Sequence, residues 1–421
     1  MHVSLVGINH STAPISVREK VSITTEQLDD SLSLLSQYVP CGIIISTCNR
    51  TEVYTAASDI LRAEEASIKF LKAHLGVPDI DLRQHIYTRR DGVAVEHLFR
   101  VASGLDSMII GEFEILGQVN QALEAAEKAD MVNLPLRHLF QGAVRTGRRV
   151  REETGISKSA LSVSSVAVDL ASRIINDLES CKMLVIGAGE AGRLVAKVAK
   201  ERGTSQIVVA NRSQEAASVL MAALGGVSVT LDNLVDELST AHIAVACTGA
   251  PHWILDSRLV AEAMRHRTEL PLVIIDIGVP RNVEPVVGQI DNVFLYNIDD
   301  LIEISDRNRQ QRESEIQMAM EIIAAEMDRF AAWWEALEVR PVVSALMKKA
   351  EDIRRRQLDK TIGKLDNLSD EERDNLDAMT KSIVTKILKD PIYCLKTKVN
   401  NDSDYTDIVN ELFQLDMGKQ E

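Results

Sequence analysis

The sequence predicts a multidomain protein of mixed α/β and α+β class along its 421 residues. Strands alternate with helices in the middle third, which indicates a parallel sheet, whereas helical spacing alone continues to the end of the chain. We therefore expect an α+β domain at 1–155, a parallel-sheet domain at 156–300, and a long helix leading into an all-helical domain at 301–421. A chain of this length is expected to form roughly two to four domains.

The N-terminal region shows both periodicities. Alternation of apolar and polar residues predicts a strand at 2–8, and a β-branched run predicts another at 42–46. That run stops abruptly at the polar residues 47–50, which therefore fall on a loop after a strand, where catalytic residues are often found. Helices are predicted at 24–38, 63–75, 92–105 and 116–129.

The middle region alternates between strand and helix patterns. A helix at 161–178 precedes a strand at Lys182–Ile186. Further strands are predicted at 206–210, 243–247 and 272–277. Such alternation requires right-handed crossovers, and these place the carboxyl ends of the parallel strands along one edge of the sheet.

The C-terminal region is predicted to be helical throughout. A charged helical pattern runs over 299–337 and is expected to break at Pro341. Amphipathic helices follow at 342–365, 370–388 and 405–413. An apolar stripe there consists of Val342, Leu346, Ile353, Leu358, Ile362 and Leu365. Because one chain offers little else to cover this stripe, we expect a homodimer formed through 301–421.

Composition restricts the classes of protein that the chain can represent. The net charge of −15 argues against a broad, non-specific nucleic-acid surface. No apolar run approaches the roughly 20 residues that span a membrane, and the start MHVSLVGINH lacks a signal-peptide pattern, so a cytoplasmic protein is expected. The five cysteines are Cys41, Cys48, Cys181, Cys247 and Cys394. Their scatter and odd number argue against a disulfide framework and a structural metal site.

A glycine-rich loop follows the strand at Lys182–Ile186 and opens a helix, which is typical of a Rossmann-type dinucleotide-binding domain. Gly187 allows the tight turn, Gly189 lets the backbone approach a pyrophosphate, and Gly192 lets helix and strand pack closely. The candidate cofactor-binding residues here are Gly187, Ala188, Gly189, Glu190, Ala191 and Gly192. The alternative is a glycine-rich turn that binds nothing.

Asn211, Arg212 and Ser213 stand after the second strand of this region, where an NAD enzyme usually has Asp or Glu. Arg212 offers a cation to a 2′-phosphate, with Asn211 and Ser213 as neutral donors. The pattern therefore favours NADPH as cofactor. The alternative is that Arg212 is only solvated.

Cys48 has polar neighbours on both sides, unlike the other four cysteines, which lie in or beside apolar segments and are expected to be small core residues. Arg50 nearby is expected to favour the thiolate. From the residues alone, Cys48 is a nucleophile or a surface or metal-competent thiol.

Several segments in order along residues 1–300 together resemble the glutamyl-tRNA reductase family. They are SLVGINHSTAPISVREK, ISTCNRTEVY, VEHLFRVASGLDSMIIGEFEILGQV, VRTGRRVREETGIS, VIGAGEAG, ANRS and DIGVPRNVEP. Glu114 departs from the resemblance, because Gln is expected there. The tail resembles the family only in being helical and of the right length.

The resemblance implies NADPH-dependent reduction of glutamyl-tRNA to glutamate-1-semialdehyde, which opens the five-carbon route to tetrapyrroles. It implies that Cys48 is the nucleophile and that His97 is an imidazole important for activity. The implied substrate-binding residues are Thr47, Asn49, Arg50, Ser107, Glu112, Phe113, Glu114 and Gln118. His10 is the competing imidazole.

The chemistry is consistent with these residue types. An aminoacyl ester is a poor hydride acceptor, and a thioester on Cys48 has a more electrophilic carbonyl. Arg50 is suited to a bidentate contact with the substrate carboxylate. Hydride transfer requires close approach, so the nucleotide domain is expected to swing between open and closed positions, hinging near 154–155 and Asp299.

The implied partners are glutamyl-tRNA, a second copy of the chain and, transiently, glutamate-1-semialdehyde aminomutase. The candidate phosphate-binding residues are Arg137, Arg145, Arg148, Arg149 and Arg151, then Lys348, Lys349, Arg354, Arg355 and Arg356. Two alternatives remain. A shikimate-dehydrogenase-like enzyme explains the middle region only, and a non-enzymatic dimeric scaffold leaves the glycine loop unexplained.

Overall fold

The computed structural model describes residues 1–75, 82–156, 162–175, 178–267, 270–301, 313–365, 368–398 and 404–415. It divides into two compact units, Met1–Met327 and Asp328–Glu421. The first unit contains both β-sheets. Within the described ranges no helix is long and apolar enough to cross a membrane.

The N-terminal sheet is antiparallel, with strand order β2-β3-β1-β4. Its strands are β1 (His2–Asn9), β2 (Ile43–Ser46), β3 (Arg50–Ala57) and β4 (Tyr87–Arg90). Ser46 pairs with Thr51, so β2 and β3 form a hairpin whose tight connection carries Cys48. Asn9 pairs with Arg50, which brings the end of β1 to the same edge.

Helices cover this sheet, and β1 is buried along nearly its whole length. They are α1 (Ile15–Val21), α2 (Leu28–Leu35), α3 (Ile60–Leu75), α4 (Asp91–Ala102), α5 (Glu114–Lys128) and α6 (Leu134–Glu153). The helix expected from residue 24 begins only at Leu28, because Thr25–Gln27 forms a 3₁₀ turn. Asn133 caps α6, with its side chain accepting from the Leu136 N–H.

The second sheet is parallel, with strand order β10-β9-β8-β5-β6-β7. Its strands are β5 (Lys182–Ile186), β6 (Gln206–Asn211), β7 (Val227–Thr230), β8 (Ile243–Ala246), β9 (Leu272–Asp276) and β10 (Val293–Asn297). The strand order reverses beside β5, as in Rossmann-type domains, and ligands bind at such a reversal, outside the carboxyl ends of the strands.

Alternating residues of β5 enter two apolar clusters on opposite faces of this sheet. Met183 and Val185 join one cluster, and Leu184 and Ile186 join the other. The flanking helices are α7 (Val163–Ile175), α8 (Glu190–Glu201), α9 (Gln214–Leu224), α10 (Leu234–Thr240) and α11 (Ser257–Arg265). Burial on both faces explains why these strands are continuous apolar runs in the sequence. The predicted ends of α7, at 161 and 176–178, lie partly outside the described residues.

The C-terminal helices are α12 (Glu313–Ile362), α13 (Asp370–Lys398) and α14 (Asp404–Phe413). The helix start expected near Asp299 stays a prediction, because residues 299–301 form a turn and residues 302–312 lie outside the described ranges. The break expected at Pro341 is wrong, because α12 continues through it. Packing of Val339 and Val342 with Leu395 stabilises the helix on both sides of the proline.

The predicted apolar stripe is only partly covered within its own unit. Val342, Leu346 and Leu358 are buried, whereas Ile353 and Leu365 are about half exposed. Other large apolar side chains of α12, α13 and α14 are also exposed. They are Met347, Met379, Ile383, Ile387, Tyr393, Ile408, Leu412 and Phe413. The described helices of this unit therefore expose many large apolar side chains, as surfaces that bind another protein do.

Candidate active site

Residues 47–50, here called the cysteine turn, connect β2 to β3. The Thr47 N–H donates to the Arg50 carbonyl at 2.8 Å, which closes the turn. The Thr47 hydroxyl accepts from the N–H groups of Asn49 and Arg50, at 3.1 and 3.3 Å. The His10 N–H donates to the Asn49 carbonyl at 3.0 Å. The backbone is thus fixed on both sides of Cys48, which is half-buried.

The surroundings of Cys48 favour the thiol. Burial, followed by the nearby carboxylates Glu112 and Glu114, raises the pKa of Cys48 to about 12, against the smaller opposing effects of Arg18 and of a backbone hydrogen bond. The expectation that Arg50 favours the thiolate is therefore wrong. Arg18 is the cation that acts on this cysteine, and its Nη1 donates to the Cys48 carbonyl at 2.7 Å.

Arg50 belongs to a buried charged network centred on Glu52. Its Nη1 lies 2.6 Å from Glu52 Oε1, and both side chains are fully buried. The Asp106 carboxylate and backbone carbonyl accept from the same guanidinium. Although burial alone would raise it, the charges of Arg50 and His97 hold the pKa of Glu52 well below its usual range. Both terminal nitrogens of Arg50 are engaged, so a bidentate contact with a substrate needs these bonds to rearrange.

Glu52 was not among the residues expected to matter. It also accepts hydrogen bonds from the hydroxyls of Tyr54, at 2.7 Å, and Tyr87. The sequence contains one signal for it. Arg50 and Glu52 stand two apart on a strand whose other residues are mostly buried, so their side chains share one face. Opposite charges at that spacing in a buried strand indicate an internal ion pair.

The imidazoles of His97 and His10 differ in their hydrogen-bond partners. His97, on α4, has its Nε2 2.9 Å from Glu52 Oε1 and its Nδ1 3.7 Å from Asp106 Oδ2. His10 has a buried Nδ1 without a partner in the described part of the chain. Burial, then the charges of Arg50 and Arg18, lower the pKa of His10 to about 4, so this ring is neutral at neutral pH.

Several buried polar atoms near Cys48 lack a hydrogen-bond partner among the described residues. They are the Oδ1 and Nδ2 of Asn49, the Nε of Arg50 and the Nδ1 of His10. Leaving such a group unpaired costs about 1–3 kcal/mol, so native proteins seldom tolerate several together. Their concentration beside one half-buried thiol is the arrangement expected of a site for a polar substrate.

Two carboxylates, Glu112 and Glu114, also act on Cys48. Glu112 is buried and hydrogen-bonded to the buried Ser107, and burial raises its pKa. Glu114 is the first residue of α5. Burial, followed by Glu112 and by Glu190 of the glycine-rich loop, raises the pKa of Glu114 to about 7. Glu114, which stands where the resemblance predicts Gln, is therefore only partly ionised at neutral pH.

The other residues that the resemblance assigned to this pocket are placed less deeply. Phe113 is 57% exposed, and Gln118 on α5 is half-buried. Arg151 was expected to bind phosphate, but its guanidinium donates to the carbonyls of Ala102 and Glu112 instead. It therefore fixes the segment that carries Glu112.

The glycine-rich loop leaves open space in front of α8. Gly187 has a positive φ of 116°, a conformation that favours glycine. A Cβ on Gly192 would lie 2.0 Å from the Gly187 carbonyl oxygen, so only glycine fits there. A Cβ on Gly189 would have no neighbour within 4 Å. The backbone N–H groups at the start of α8 are thus accessible to an anion.

Asn211 at the end of β6 and the two residues after it have distinct roles in this structure. Asn211 accepts from the Ala188 N–H at 3.3 Å, and Ser213 caps α9 by accepting from the Ala216 N–H. Arg212 is exposed and has no ion pair with another described residue. It lines a cavity of about 290 Å³ with Glu26, Asn211, Leu231, Thr248, Gly249, Ala250, Pro251, His252 and Ile254. The cavity, the open loop and a free cation suit a phosphorylated dinucleotide.

The arginines expected to bind tRNA phosphates are mostly engaged within the chain. Arg145 and Arg149 both pair with the buried Glu326, and Arg137 pairs with Glu127. In the C-terminal unit, Arg354 and Arg355 pair with Glu351, Lys349 donates to two backbone carbonyls, and Arg356 donates to one. Arg148 is exposed and has no ion pair with a described residue.

Comparison with known proteins identifies the family. Residues 6–154 match the model described as glutamyl-tRNAGlu reductase, N-terminal domain, and residues 318–415 match the dimerisation domain of the same enzyme. A glutamyl-tRNA reductase from Carboxydothermus hydrogenoformans is 40% identical over 99% of this chain and 93% of its own length. The chain belongs to the glutamyl-tRNA reductase family. A relative from Moorella thermoacetica is also 40% identical, over 99% of this chain and 95% of its length.

Structural comparison agrees with membership of the glutamyl-tRNA reductase family. The solved "Glutamyl-tRNA Reductase from Methanopyrus kandleri" is 33% identical, with a TM-score of 0.52, and the match covers 100% of this chain and 99% of that one. Residues 169–304 match the shikimate / quinate 5-dehydrogenase model. That match assigns the parallel-sheet domain to a dehydrogenase-like nucleotide-binding type. It does not support the shikimate-dehydrogenase alternative for the whole chain, because the glutamyl-tRNA reductase models match on both sides.

Proposed function

We propose that this chain reduces glutamyl-tRNA to glutamate-1-semialdehyde with NADPH, and that Cys48 holds the glutamyl group as a thioester between two steps. Membership of the family over the full chain length carries the assignment of the reductase activity. The unpartnered polar atoms around Cys48 support its assignment as the nucleophile. The family implies that the product enters tetrapyrrole synthesis.

In the first step, the Cys48 sulfur bonds to the glutamyl carbonyl carbon and the ester bond to the tRNA ribose breaks. The departing ribose oxygen needs a proton, and the thiol has one to lose. His10 is the better placed of the two imidazoles for moving this proton, because its Nδ1 is unpartnered and its ring is neutral. His97, bonded to the buried Glu52, is assigned to positioning.

In the second step, the thioester carbonyl carbon accepts a hydride, which NADPH supplies when bound. The carbon–sulfur bond then breaks, the aldehyde leaves, and the electron pair returns to the Cys48 sulfur. Water must be excluded, because it would hydrolyse the thioester. The half-buried position of Cys48 beside an apolar cluster suits that requirement.

The polar end of the glutamyl group is assigned to Asn49 and to the Nε of Arg50. These are the buried donors of the cysteine turn that lack partners in the described ranges of the chain, whereas the terminal nitrogens of Arg50 are engaged by Glu52 and Asp106. The remaining candidates for this pocket are Thr47, Ser107, Glu112, Phe113, Glu114 and Gln118. Of these, Thr47 acts through the backbone of the turn.

The cofactor site would be formed by the glycine-rich loop and residues 211–213 at the end of β6. The start of α8 would hold the pyrophosphate, and Arg212 would meet the 2′-phosphate. Asn211 and Ser213 would act by fixing the loop and α9, because their side chains are already bonded to these elements. Ala188, Glu190 and Ala191 would flank the nucleotide.

Trapping the covalent adduct tests this proposal. Full-length protein is incubated with glutamyl-tRNA, with and without NADPH, and the Cys48 peptide is examined by mass spectrometry. We expect a glutamyl adduct on Cys48 without NADPH, accompanied by slow hydrolysis, and aldehyde with NADPH. Formation of aldehyde with an adduct on another cysteine, or with none on a rapid timescale, would overturn the covalent mechanism.

The homodimer is proposed to form through the exposed apolar side chains of the C-terminal unit, as the dimerisation-domain match suggests. Ile387→Asp places a charge on a side chain that is 66% exposed in one chain. We expect this change to weaken dimerisation by about a hundredfold in sedimentation experiments. Val219→Asp, at a 67% exposed residue of α9, is the matched control. Equal effects of the two changes would contradict the assignment.

Other partners belong to the same proposal. Glutamyl-tRNA must meet a chain with a net charge of −15, so its phosphate contacts are expected to be local, with the exposed Arg148 as the first candidate. A transient complex with glutamate-1-semialdehyde aminomutase would protect the reactive aldehyde. Co-sedimentation of the two enzymes under turnover tests that complex.

A further inference from the structure

Helix α1 lies between the cysteine turn and the nucleotide-binding domain, and Arg18 contacts both. Arg18 is only 3% exposed. Its Nη1 donates to the Cys48 carbonyl at 2.7 Å and its Nε to the Ala13 carbonyl at 3.2 Å. Its Nη2 pairs with the Asp299 carboxylate, which also accepts from the Ile15 N–H at 3.2 Å. One guanidinium therefore joins the backbone of the nucleophile to a carboxylate of the other domain.

The next residue of α1 makes a second ion pair with the nucleotide-binding domain. Glu19 accepts from the Nη2 and Nε of Arg281, at 2.6 and 2.9 Å. Arg281 follows β9 and Asp299 follows β10, so both partners lie at the carboxyl ends of neighbouring strands, the edge where the nucleotide is expected. The loop that carries Arg281 is fixed by Asp276, whose carboxylate accepts three backbone N–H groups.

Apolar packing reinforces this docked arrangement. Ile15, Met108 and Ile109 are buried in the same cluster as Val185 and Ile275 of the parallel sheet, and Cys48 packs against that cluster. Domain opening would therefore break the Asp299 pair and expose Cys48 in the same movement. Arg18 would keep its bonds to the Ala13 and Cys48 carbonyls, because these lie in its own domain.

We propose that Arg18 is a positioning residue that couples docking of the nucleotide-binding domain to the reactivity of Cys48. In the docked arrangement, Asp299 compensates the charge of Arg18. In the undocked arrangement that charge acts on the cysteine turn alone. The inference rests on the proposed role of Cys48 as nucleophile and extends it to the timing of the two steps.

This coupling fits what each step requires. Attack on glutamyl-tRNA needs a thiolate and an accessible cleft, whereas the thioester is neutral and its reduction needs a dry one. The charged groups facing Cys48 are Arg18 from α1, Glu112 before α5 and Glu114 at the start of α5. When Asp299 is paired with Arg18, the charges of Glu112 and Glu114 outweigh the charge of Arg18, and the Cys48 thiol stays protonated. Undocking removes Asp299 and exposes the sulfur, and both changes favour the thiolate.

Alkylation of Cys48 by iodoacetamide, followed on its peptide by mass spectrometry, tests the coupling without tRNA or NADPH. Failure of the reductase proposal would leave this readout intact. Asp299→Asn should speed alkylation about tenfold and lower its pH midpoint, since about one pKa unit changes the thiolate fraction tenfold. Asp300→Asn, which changes the exposed neighbouring carboxylate, is the control and should leave both quantities unchanged.

Further variants separate charge from docking. Glu19→Gln should loosen docking while Asp299 is kept, so the alkylation rate should rise about two- to threefold with a small fall in the pH midpoint, and the reversed pair Glu19→Arg with Arg281→Glu should restore both. Arg18→Gln should slow alkylation about tenfold and raise the midpoint, whereas Arg18→Lys should retain most of the charge effect. The proposal is overturned if Asp299→Asn and Asp300→Asn behave alike, or if Arg18→Gln leaves the pH profile unchanged in a protein that unfolds at the wild-type temperature.

Discussion

The cysteine turn and the glycine-rich loop are both tight connections within the first unit, but buried side chains stabilise the first, whereas the second requires positions without a side chain. The cysteine turn depends on side chains, with Arg50 and Glu52 fully buried beside Cys48. The glycine-rich loop depends on the absence of side chains, because Gly192 has no room for a Cβ. The first site should therefore fail when atoms are removed or charges neutralised, and the second when atoms are added.

Cys48→Ser should have the largest effect, because a hydroxyl replaces the sulfur that is proposed to form the thioester. We expect aldehyde formation from glutamyl-tRNA to fall by more than about a thousandfold, with NADPH affinity unchanged. Cys394→Ser, at a half-buried cysteine of the other unit, is the control and should keep full activity. Wild-type amounts of aldehyde from Cys48→Ser would remove the cysteine turn from the mechanism.

Glu52→Gln tests whether the cysteine turn is held by buried charge. The change leaves the Arg50 guanidinium buried with its main partner neutral, so we expect the free energy of unfolding to fall by about 3–5 kcal/mol. Tyr54→Phe, which removes one hydrogen bond to the same carboxylate, should cost only about 1–2 kcal/mol. Urea denaturation measures both, and equal losses would show that the charge is unimportant.

Gly189→Ala is the reverse test, applied to the glycine-rich loop. The added methyl has no protein neighbour within 4 Å, so thermal stability should stay unchanged. The same methyl would occupy the approach of a pyrophosphate, and NADPH binding should weaken by about a hundredfold. Calorimetric titration measures the affinity. Unchanged affinity would mean that the nucleotide does not lie over Gly189.

Gly192→Ala provides the contrast to that variant. Its Cβ would lie 2.0 Å from the Gly187 oxygen, so the contact between the loop and α8 must distort. Here the melting temperature should fall together with NADPH affinity. If both glycine variants lost stability equally, the open space at Gly189 would not distinguish the two positions.

Arg212→Ala should have the smallest effect, because it removes one contact at an exposed position. Losing a charge-assisted bond to the 2′-phosphate costs about 1.5–3 kcal/mol, so NADPH should bind roughly ten- to a hundredfold more weakly. NADH has no 2′-phosphate and serves as the internal control. Equal losses for the two cofactors would show that Arg212 acts on the loop instead of on the phosphate.

Local sequence patterns predicted the structure correctly where periodicity and backbone requirements alone determine it. The strand at Lys182–Ile186 and the glycine loop were predictable, because periodicity and backbone requirements are local. The break at Pro341 was not, because packing of Val339 and Val342 with Leu395 outweighs the local cost of the proline. Tertiary packing can override local helix propensity, and the sequence does not show which distant residues will pack together.

The electrostatic environment of Cys48 could not be predicted from local sequence patterns either. Arg50 stands two residues from Cys48, and sequence proximity made it the expected activator. The cation that acts on the sulfur is Arg18, 30 residues earlier in the chain, while Arg50 is engaged by Glu52 and Asp106. Only the fold brings α1 to the cysteine turn, so no local spacing could have identified Arg18.

Glu26 has a consequence for how the cofactor is held. It belongs to the 3₁₀ turn before α2, yet it lines the cavity beside Arg212 in the other domain. The binding free energy of a nucleotide in this cavity would therefore differ between a docked arrangement, in which Glu26 lines the cavity, and an undocked one, in which it does not. Thermodynamic reciprocity requires the nucleotide to shift the docking equilibrium by the same factor. Under the proposed function, the cellular concentration of NADPH would therefore shift the balance between the docked and undocked domains, and adenine nucleotides that occupy the same cavity would do so too.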